Sequence, residues 1–238
     1  MTRPVQLATG VWRIPTVGSD LVNSFAFEEP DGSLTLVDTG IKRVGPRNVV
    51  RGLAAMGRRP DEVHRILLTH AHFDHAGGAA GVVRRTGAAL LAHEEEAQWP
   101  GRGRTPPMRR VSLLRTVLDA TRPKLEKVEV GSTFREGDLL DVAGGLRVLH
   151  TPGHTAGHCS FLHEPTGVLI TGDSLFNWFD RMAYSYALFC SDVPLSRQTA
   201  DRLAEVDYEV AAFTHGPEIR DRAREKVREF LRAHTRPR

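Results

Sequence analysis

The most restrictive feature of this chain is the six-residue run His70-Ala71-His72-Phe73-Asp74-His75, which follows directly on the apolar segment Ile66-Leu67-Leu68-Thr69. The apolar segment reads as a strand over residues 65–69, and in an extended chain residues two apart project to one side, so His70 and His72 can face a single point. Asp74 and His75 fall where the chain turns and can aim a second pair of groups at a neighbouring point. Gly77 and Gly78 then let the backbone pass close by. Any one of these histidines alone would be ordinary, but three imidazoles and a carboxylate at this spacing form a donor set suited to zinc or iron. The helical zinc pattern H-E-x-x-H is absent, and Gly-Gly would break a helix early.

Three further strand ends carry one such residue each. A strand over 146–150 leads into T-P-G-H-T with His154, one over 168–171 leads into Gly172-Asp173, and Val210-Ala211-Ala212-Phe213 ends in Thr214-His215-Gly216. Each places a ligand-type side chain where a strand gives way to a glycine-containing loop, the usual position for functional groups on a rigid scaffold. Other strands are expected at 11–14, 24–27, 34–38, 88–92, 139–142, 158–163 and 209–214. Helices are expected at 45–56, from after His75 through Arg84, at 194–204, and from Pro217 to the end. In the last, Ile219, Ala223, Val227, Phe230 and Leu231 follow the spacing of a docking face. Strands in two groups with helices flanking each imply an α+β architecture, two mixed sheets packed face to face with helices outside. No repeat or low-complexity linker divides residues 1–238, which read as one domain. Residues 98–127, rich in Pro, Gly and Arg around a helix at 111–120, read as an insertion, and the stretch 98–110 with Trp99 reads as a surface loop ahead of the alternative, a lid over the site.

A chain of 238 residues buries roughly 70–75% of its unfolded surface without help, so a bound metal would serve chemistry rather than hold the fold together. No apolar run approaches the roughly 18–20 residues needed to cross a bilayer, and the first residues lack the apolar core of a secretory signal. With Cys159 and Cys190 the only cysteines, a reducing, cytoplasmic setting is expected. Net charge is +3, and the densest basic stretch, 102–110, lacks interleaved aromatics, so neither nucleic acid nor membrane is expected as a partner. The expected partner is a small-molecule substrate. His64, His93, His150, His158, His163 and His234 read as structural, and Cys159 as a small buried apolar residue.

Taken together, V-D-T-G at 37–40, T-H-A-H-F-D-H-A-G-G at 69–78, T-P-G-H-T at 151–155, T-G-D at 171–173 and H-G at 215–216 resemble the metallo-β-lactamase superfamily. The resemblance implies a four-layer αββα sandwich. It implies that His70, His72 and His154 hold one metal, that Asp74, His75 and His215 hold a second, and that Asp173 bridges both. Asp38 would support the metal-binding loops from behind. Two divalent ions follow, zinc first with iron or manganese as alternatives, and between them a water or hydroxide that attacks the substrate. Asp74 would orient that nucleophile or pass a proton.

The activity implied is hydrolysis of an ester, thioester or lactone, in the manner of glyoxalase II or lactonases. The alternative is a mononuclear iron oxidoreductase resembling persulfide dioxygenases, which His75 and His215 disfavour. Asp173 argues against an antibiotic-degrading lactamase. Only 23 residues follow His215, where glyoxalase II-type enzymes carry a helical glutathione-binding domain. Where acyl-homoserine lactonases place a tyrosine, this chain has Ser174, Leu175 and Phe176, with Tyr184 and Tyr186 as possible substitutes. The aromatic stretch 176–189 either packs beneath the insertion or walls a pocket for an acyl group.

Overall fold

Alternation along the strands decides how this chain layers. The computed structural model describes residues 3–107 and 124–234; the helix expected at 111–120 lies outside them. A seven-stranded sheet runs in chain order through β1 (Val5–Ala8), β2 (Val11–Val17), β3 (Val22–Glu28), β4 (Leu34–Val37), β5 (Val63–Leu67), β6 (Ala89–His93) and β7 (Ser132–Phe134). Its first four strands are antiparallel, and from β4 to β7 the pairing is parallel. α1 (Val44–Ala55) and α2 (Ala79–Thr86) make two of its crossovers, and α3 (Gln98–Arg102) follows β6.

The second sheet takes β8 (Leu139–Leu140), β9 (Leu146–His150), β10 (Cys159–His163), β11 (Val168–Ile170) and, beyond a hairpin of β12 (Leu175–Trp178) with β13 (Arg181–Tyr184), β14 (Val210–Ala212). Its order is β14-β11-β10-β9-β8, with β14 parallel to β11 and the rest antiparallel. α4 (Val193–Ala200), a short 3-10 turn at Asp201–Ala204 and α5 (Ala223–His234) complete the chain.

Three apolar layers hold these parts together. Phe25, Phe27 and Val37 point inward to meet Val148, Phe161 and Ile170 of the second sheet. Their neighbours Ala26 and Leu36 face the other way, against Val49 and Leu53 of α1 and Val82 of α2. On the far side, Leu162, Leu169 and Ala211 pack beneath Ala223, Val227 and Leu231 of α5. Side chains of successive strand residues alternate faces, so these sets require helix, sheet, sheet and helix in that order. Each fully buried Phe contributes about 1.5–3 kcal/mol through removal from water.

One expectation needs correction. The last helix begins at Ala223, not at Pro217, because Ile219 instead exchanges two backbone hydrogen bonds with Ala211 on β14. Glu218 is drawn into a largely buried ion pair with Arg13, 2.9 Å, which fixes this extended stretch. The aromatic stretch after Asp173 folds as the β12–β13 hairpin, for which the sequence carries no turn signal: Phe179 and Asp180 occupy the turn at φ 53° and 58°, where Asn-Gly is usual. Among the described residues, no helix is long and apolar enough to cross a membrane.

Candidate metal centre

Strand polarity gathers the candidate residues. β4 and β5 are parallel, so Asp38 and the Thr69–His75 loop emerge at the same end of the first sheet. In the second sheet β9, β11 and β14 share a direction, and the loops bearing His154, Asp173 and His215 leave their carboxyl ends. The two edges are joined by backbone hydrogen bonds, Cys159 N–H to Thr69 O at 2.9 Å and Asn23 N–H to Thr214 O at 2.8 Å. The loops themselves are packed too tightly for side chains. A Cβ on Gly77 would sit 1.9 Å from Phe73 O, and one on Gly172, at φ 53°, would sit 2.5 Å from His158 Nε2.

Two clusters result. His70 Nε2, His72 Nδ1 and His154 Nε2 lie 2.8–3.2 Å from one another. His75 Nε2 and His215 Nε2 are 3.2 Å apart, with Asp74 Oδ2 at 3.8 and 3.6 Å from them. Asp173 stands between the clusters. Its Oδ2 is 3.2 Å from His154 Nε2 and 3.9 Å from His70 Nε2, whereas its Oδ1 is 3.2 Å from His75 Nε2 and 3.3 Å from His215 Nε2. All seven residues named from the sequence are thus brought together; the groups that could hold a metal ion are His70-His72-His154, Asp74-His75-His215 and, spanning the two clusters, His70-His75-Asp173.

Hydrogen bonds behind the rings determine what the rings present. His215 Nδ1 lies 2.6 Å from the Leu21 carbonyl, which can only accept, so the proton is on Nδ1 and the Nε2 lone pair faces the cluster. His75 Nδ1 lies 2.8 Å from Asp38 Oδ2 and is likewise a donor. The Thr69 hydroxyl gives its proton to Asp38 Oδ2 at 2.7 Å, leaving its oxygen to accept from His70 Nδ1 at 3.1 Å. His154 Nδ1 is held by the Ser185 hydroxyl at 2.7 Å. Lone pairs of His75 and His215 that face one another across 3.2 Å, with carboxylate oxygens alongside, repel unless a proton or a metal cation sits among them. The donor set therefore fits a divalent cation of the zinc or iron type.

The electrostatics of the two clusters differ. Burial pushes the pKa of His70 and of His154 well below the ordinary imidazole value, helped by neighbouring histidines and opposed by Asp173. For His75 burial acts the same way, but Asp173, Asp74 and Asp38 outweigh it and hold its pKa well above that value. His215 is raised in the same manner, burial being overcome by Asp173. Asp173 is itself held far below the carboxylate range, since His75, His215, His154 and His70 outweigh its burial.

Supporting residues behind the rings are as specific as the cluster itself. Asp38, fully buried and in the left-handed region at φ 59°, also accepts from Thr69 N–H at 2.9 Å. His158, expected to be structural, fixes the approach of Asp173. Its Nε2 accepts from Asp173 N–H at 2.7 Å while its Nδ1 donates to Thr151 O at 2.9 Å, and burial lowers its pKa to about 4. Sequence reasoning missed Glu96. Fully buried, it accepts from Ala71 N–H at 2.8 Å and Gly157 N–H at 3.0 Å, tying the His70–His72 loop to the His154 loop. Burial raises its pKa and the two amides oppose the rise. It stands in a run of three glutamates, and nothing local distinguishes it from Glu94 and Glu95. Asn23, also missed, donates to Phe213 O and Gly216 O and so clamps the loop of His215.

Above the cluster lies a cavity of about 380 Å³, in the range of roughly 300–1,000 Å³ usual for small-molecule sites. His72, Asp74, His154, Asp173 and His215 line it, as do Phe176, Trp178, Tyr186 and Phe189. The aromatic stretch is therefore a wall of the cavity. Of the two tyrosines, Tyr186 lines it, whereas Tyr184 packs on Phe230 of α5. Trp99 packs instead against the core beneath α1 and α2.

Two mixed sheets between helices, with histidine and aspartate loops converging at one edge, define a metal-site αββα protein. The family model of the metallo-beta-lactamase superfamily matches residues 17–215, and the chain belongs to that superfamily. A hydroxyacylglutathione hydrolase of Cereibacter sphaeroides is 31% identical over 158 residues, covering 65% of this chain and 49% of that enzyme. The chain thus spans about half the length of this curated relative. The probable metallo-hydrolase YybB of Bacillus subtilis is 25% identical over 192 residues, 77% of this chain and 76% of its own. Among solved structures, metallo-β-lactamase MIM-1 of Novosphingobium pentaromativorans superposes with a TM-score of 0.73 at 20% identity, over 98% of this chain and 88% of that one, a likeness of fold.

Proposed function

We propose that this chain is a metal-dependent hydrolase that uses two divalent cations, zinc foremost, to cleave an ester, thioester or lactone of a small molecule. The observation that carries the reading is Asp173, whose two carboxylate oxygens face two separate donor clusters beneath one cavity. In this reading His70, His72 and His154 hold one ion, Asp74, His75 and His215 hold the other, and Asp173 reaches both. When bound, such ions supply Lewis acidity, lowering the pKa of water towards about 7 and offsetting charge that develops on the acyl oxygen.

The chain's own residues supply the rest. Asp38, Thr69 and the Leu21 carbonyl fix ring orientation and tautomer, and Ser185 fixes the orientation of His154, so the donors need no rearrangement. Asp74 has its carboxylate partly exposed and lining the cavity, where it holds the attacking group in line or receives its proton. The relative named hydroxyacylglutathione hydrolase adds weight to a thioester among the candidate bonds. Retention of a complete second donor set favours hydrolysis over the mononuclear iron alternative.

Elemental analysis of the purified protein, followed by assay of esters, thioesters and lactones on the same sample, tests the proposal. Roughly two metal equivalents per chain and hydrolysis that vanishes in Asp173→Ala and His72→Ala are expected. Fully metallated protein inert across the panel would overturn it, and iron accompanied by oxygen consumption would replace it with the oxidoreductase reading.

A further inference from the structure

The cavity over the cluster divides sharply by chemistry. Five of its lining residues are the histidines and aspartates of the cluster itself. Of the others, the β2–β3 turn region contributes Val17, Leu21 and Val22, and Ile41 follows β4. Phe176 and Trp178 of β12 stack at 5.4 Å, and Phe176 lies 4.6 Å edge-on to His215, so the aromatic wall starts directly beside the donor groups. Tyr186 adds a third ring, 5.3 Å from Trp178. No lysine or arginine is among the described residues that line the cavity. Leu21, Tyr186 and Phe189 stay 48%, 47% and 37% exposed, so the apolar lining continues outward to solvent.

A carboxylate carried on the acyl side of a substrate would lose its water against these walls and meet no lysine or arginine among the described lining residues, which is costly. An alkyl or aryl group would instead be stabilised by burial in proportion to its area. At about 30 Å³ per water-sized volume, 380 Å³ holds roughly a dozen non-hydrogen atoms. We infer that the substrate presents an apolar acyl group of up to this size to the cavity, and that acyl groups bearing a carboxylate are selected against. The inference rests on the hydrolytic reading for its reaction but on the lining alone for its selectivity.

Two measurements on the metal-loaded, full-length protein test it. The first is kcat/KM for 4-nitrophenyl esters and thioesters of acetate, butyrate, hexanoate and octanoate, beside the adipate half-ester. A rise of about fourfold per methylene is expected until the cavity is full. The adipoyl compound is expected to fall at least about a hundredfold below hexanoyl. The second is binding of unreactive alkyl methyl ketones, read from tryptophan fluorescence with Trp178→Phe as the signal control; Kd should fall by about the same factor per methylene. In Leu21→Arg, an exposed rim position, the preference for hexanoyl over adipoyl should shrink about tenfold or more with an unchanged circular dichroism spectrum. Hydrolysis and binding both indifferent to chain length, or a preference for adipoyl, would overturn the inference and leave the hydrolytic reading standing. Ketone binding that strengthens with chain length while no ester, thioester or lactone is turned over would do the reverse.

Discussion

The two donor clusters begin four residues apart in sequence, at His70 and Asp74, and are unlike in construction. His70, His72 and His154 are all imidazole and almost fully buried, and their loops are tied together from behind by Glu96. Asp74, His75 and His215 include a carboxylate whose side chain is 21% exposed, and they lean on the stronger acceptors Asp38 and Leu21 O. Burial disfavours the charged form of His70 and His154, whereas the negative charge around His75 favours it. Both clusters reach the cavity, the first through His72 and His154 and the second through Asp74 and His215. The difference sets a buried, all-imidazole cluster beside one that includes a partly exposed carboxylate, Asp74, at the cavity.

Removing the one residue shared by both clusters has the largest expected effect. Asp173→Ala should lower hydrolysis by a factor of roughly 10³ or more, about 4 kcal/mol of transition-state stabilisation, and should reduce metal content at both clusters, measured by steady-state kinetics and elemental analysis. Asp38→Ala should separate the clusters. His75 loses its acceptor while His154 keeps Ser185, so metal affinity should fall about 10–100-fold, chiefly at the second cluster, in a competitive chelator titration.

Glu96→Ala is the converse case. It strands the buried amides of Ala71 and Gly157, each at a cost of about 1–3 kcal/mol, so the denaturation midpoint should drop and metal loss should concentrate at the first cluster. Dilute chelator applied to unsubstituted protein should strip the ions in two phases, the ion at the exposed Asp74 side leaving first; a single phase would erase the distinction between the clusters. Ser185→Ala should have the smallest effect. Loss of one hydroxyl behind His154 is worth about 0.5–1.5 kcal/mol, a several-fold change in affinity at the first cluster with little change in fold.

Much of the site was legible because its residues are chemically conspicuous and sit at predictable places. His70, His72, Asp74 and His75 follow an apolar strand, and His154, Asp173 and His215 each follow another, so strand ends alone marked them out. Asp38 was named from resemblance, and its contacts with Thr69 and His75 show what that position does. Glu96 was invisible among three glutamates, because what distinguishes it is burial beneath two loops that come from distant parts of the chain. The β12–β13 hairpin was hidden for a different reason. Its turn is made by Phe179 and Asp180 at positive φ, against local preference, while its strand residues are committed to the cavity wall.

By itself the sequence determined the donor chemistry and the layer order. Side-chain identity sets what a group can bind, and alternation along a strand sets which face is apolar, both of which are local properties. Tertiary structure alone decided that the loops meet, because that depends on β9, β11 and β14 sharing one direction and on the hydrogen bonds that join the two sheets. It also decided which nitrogen of His70, His75 and His215 faces inward, since a tautomer is fixed by a partner that folding brings from elsewhere in the chain.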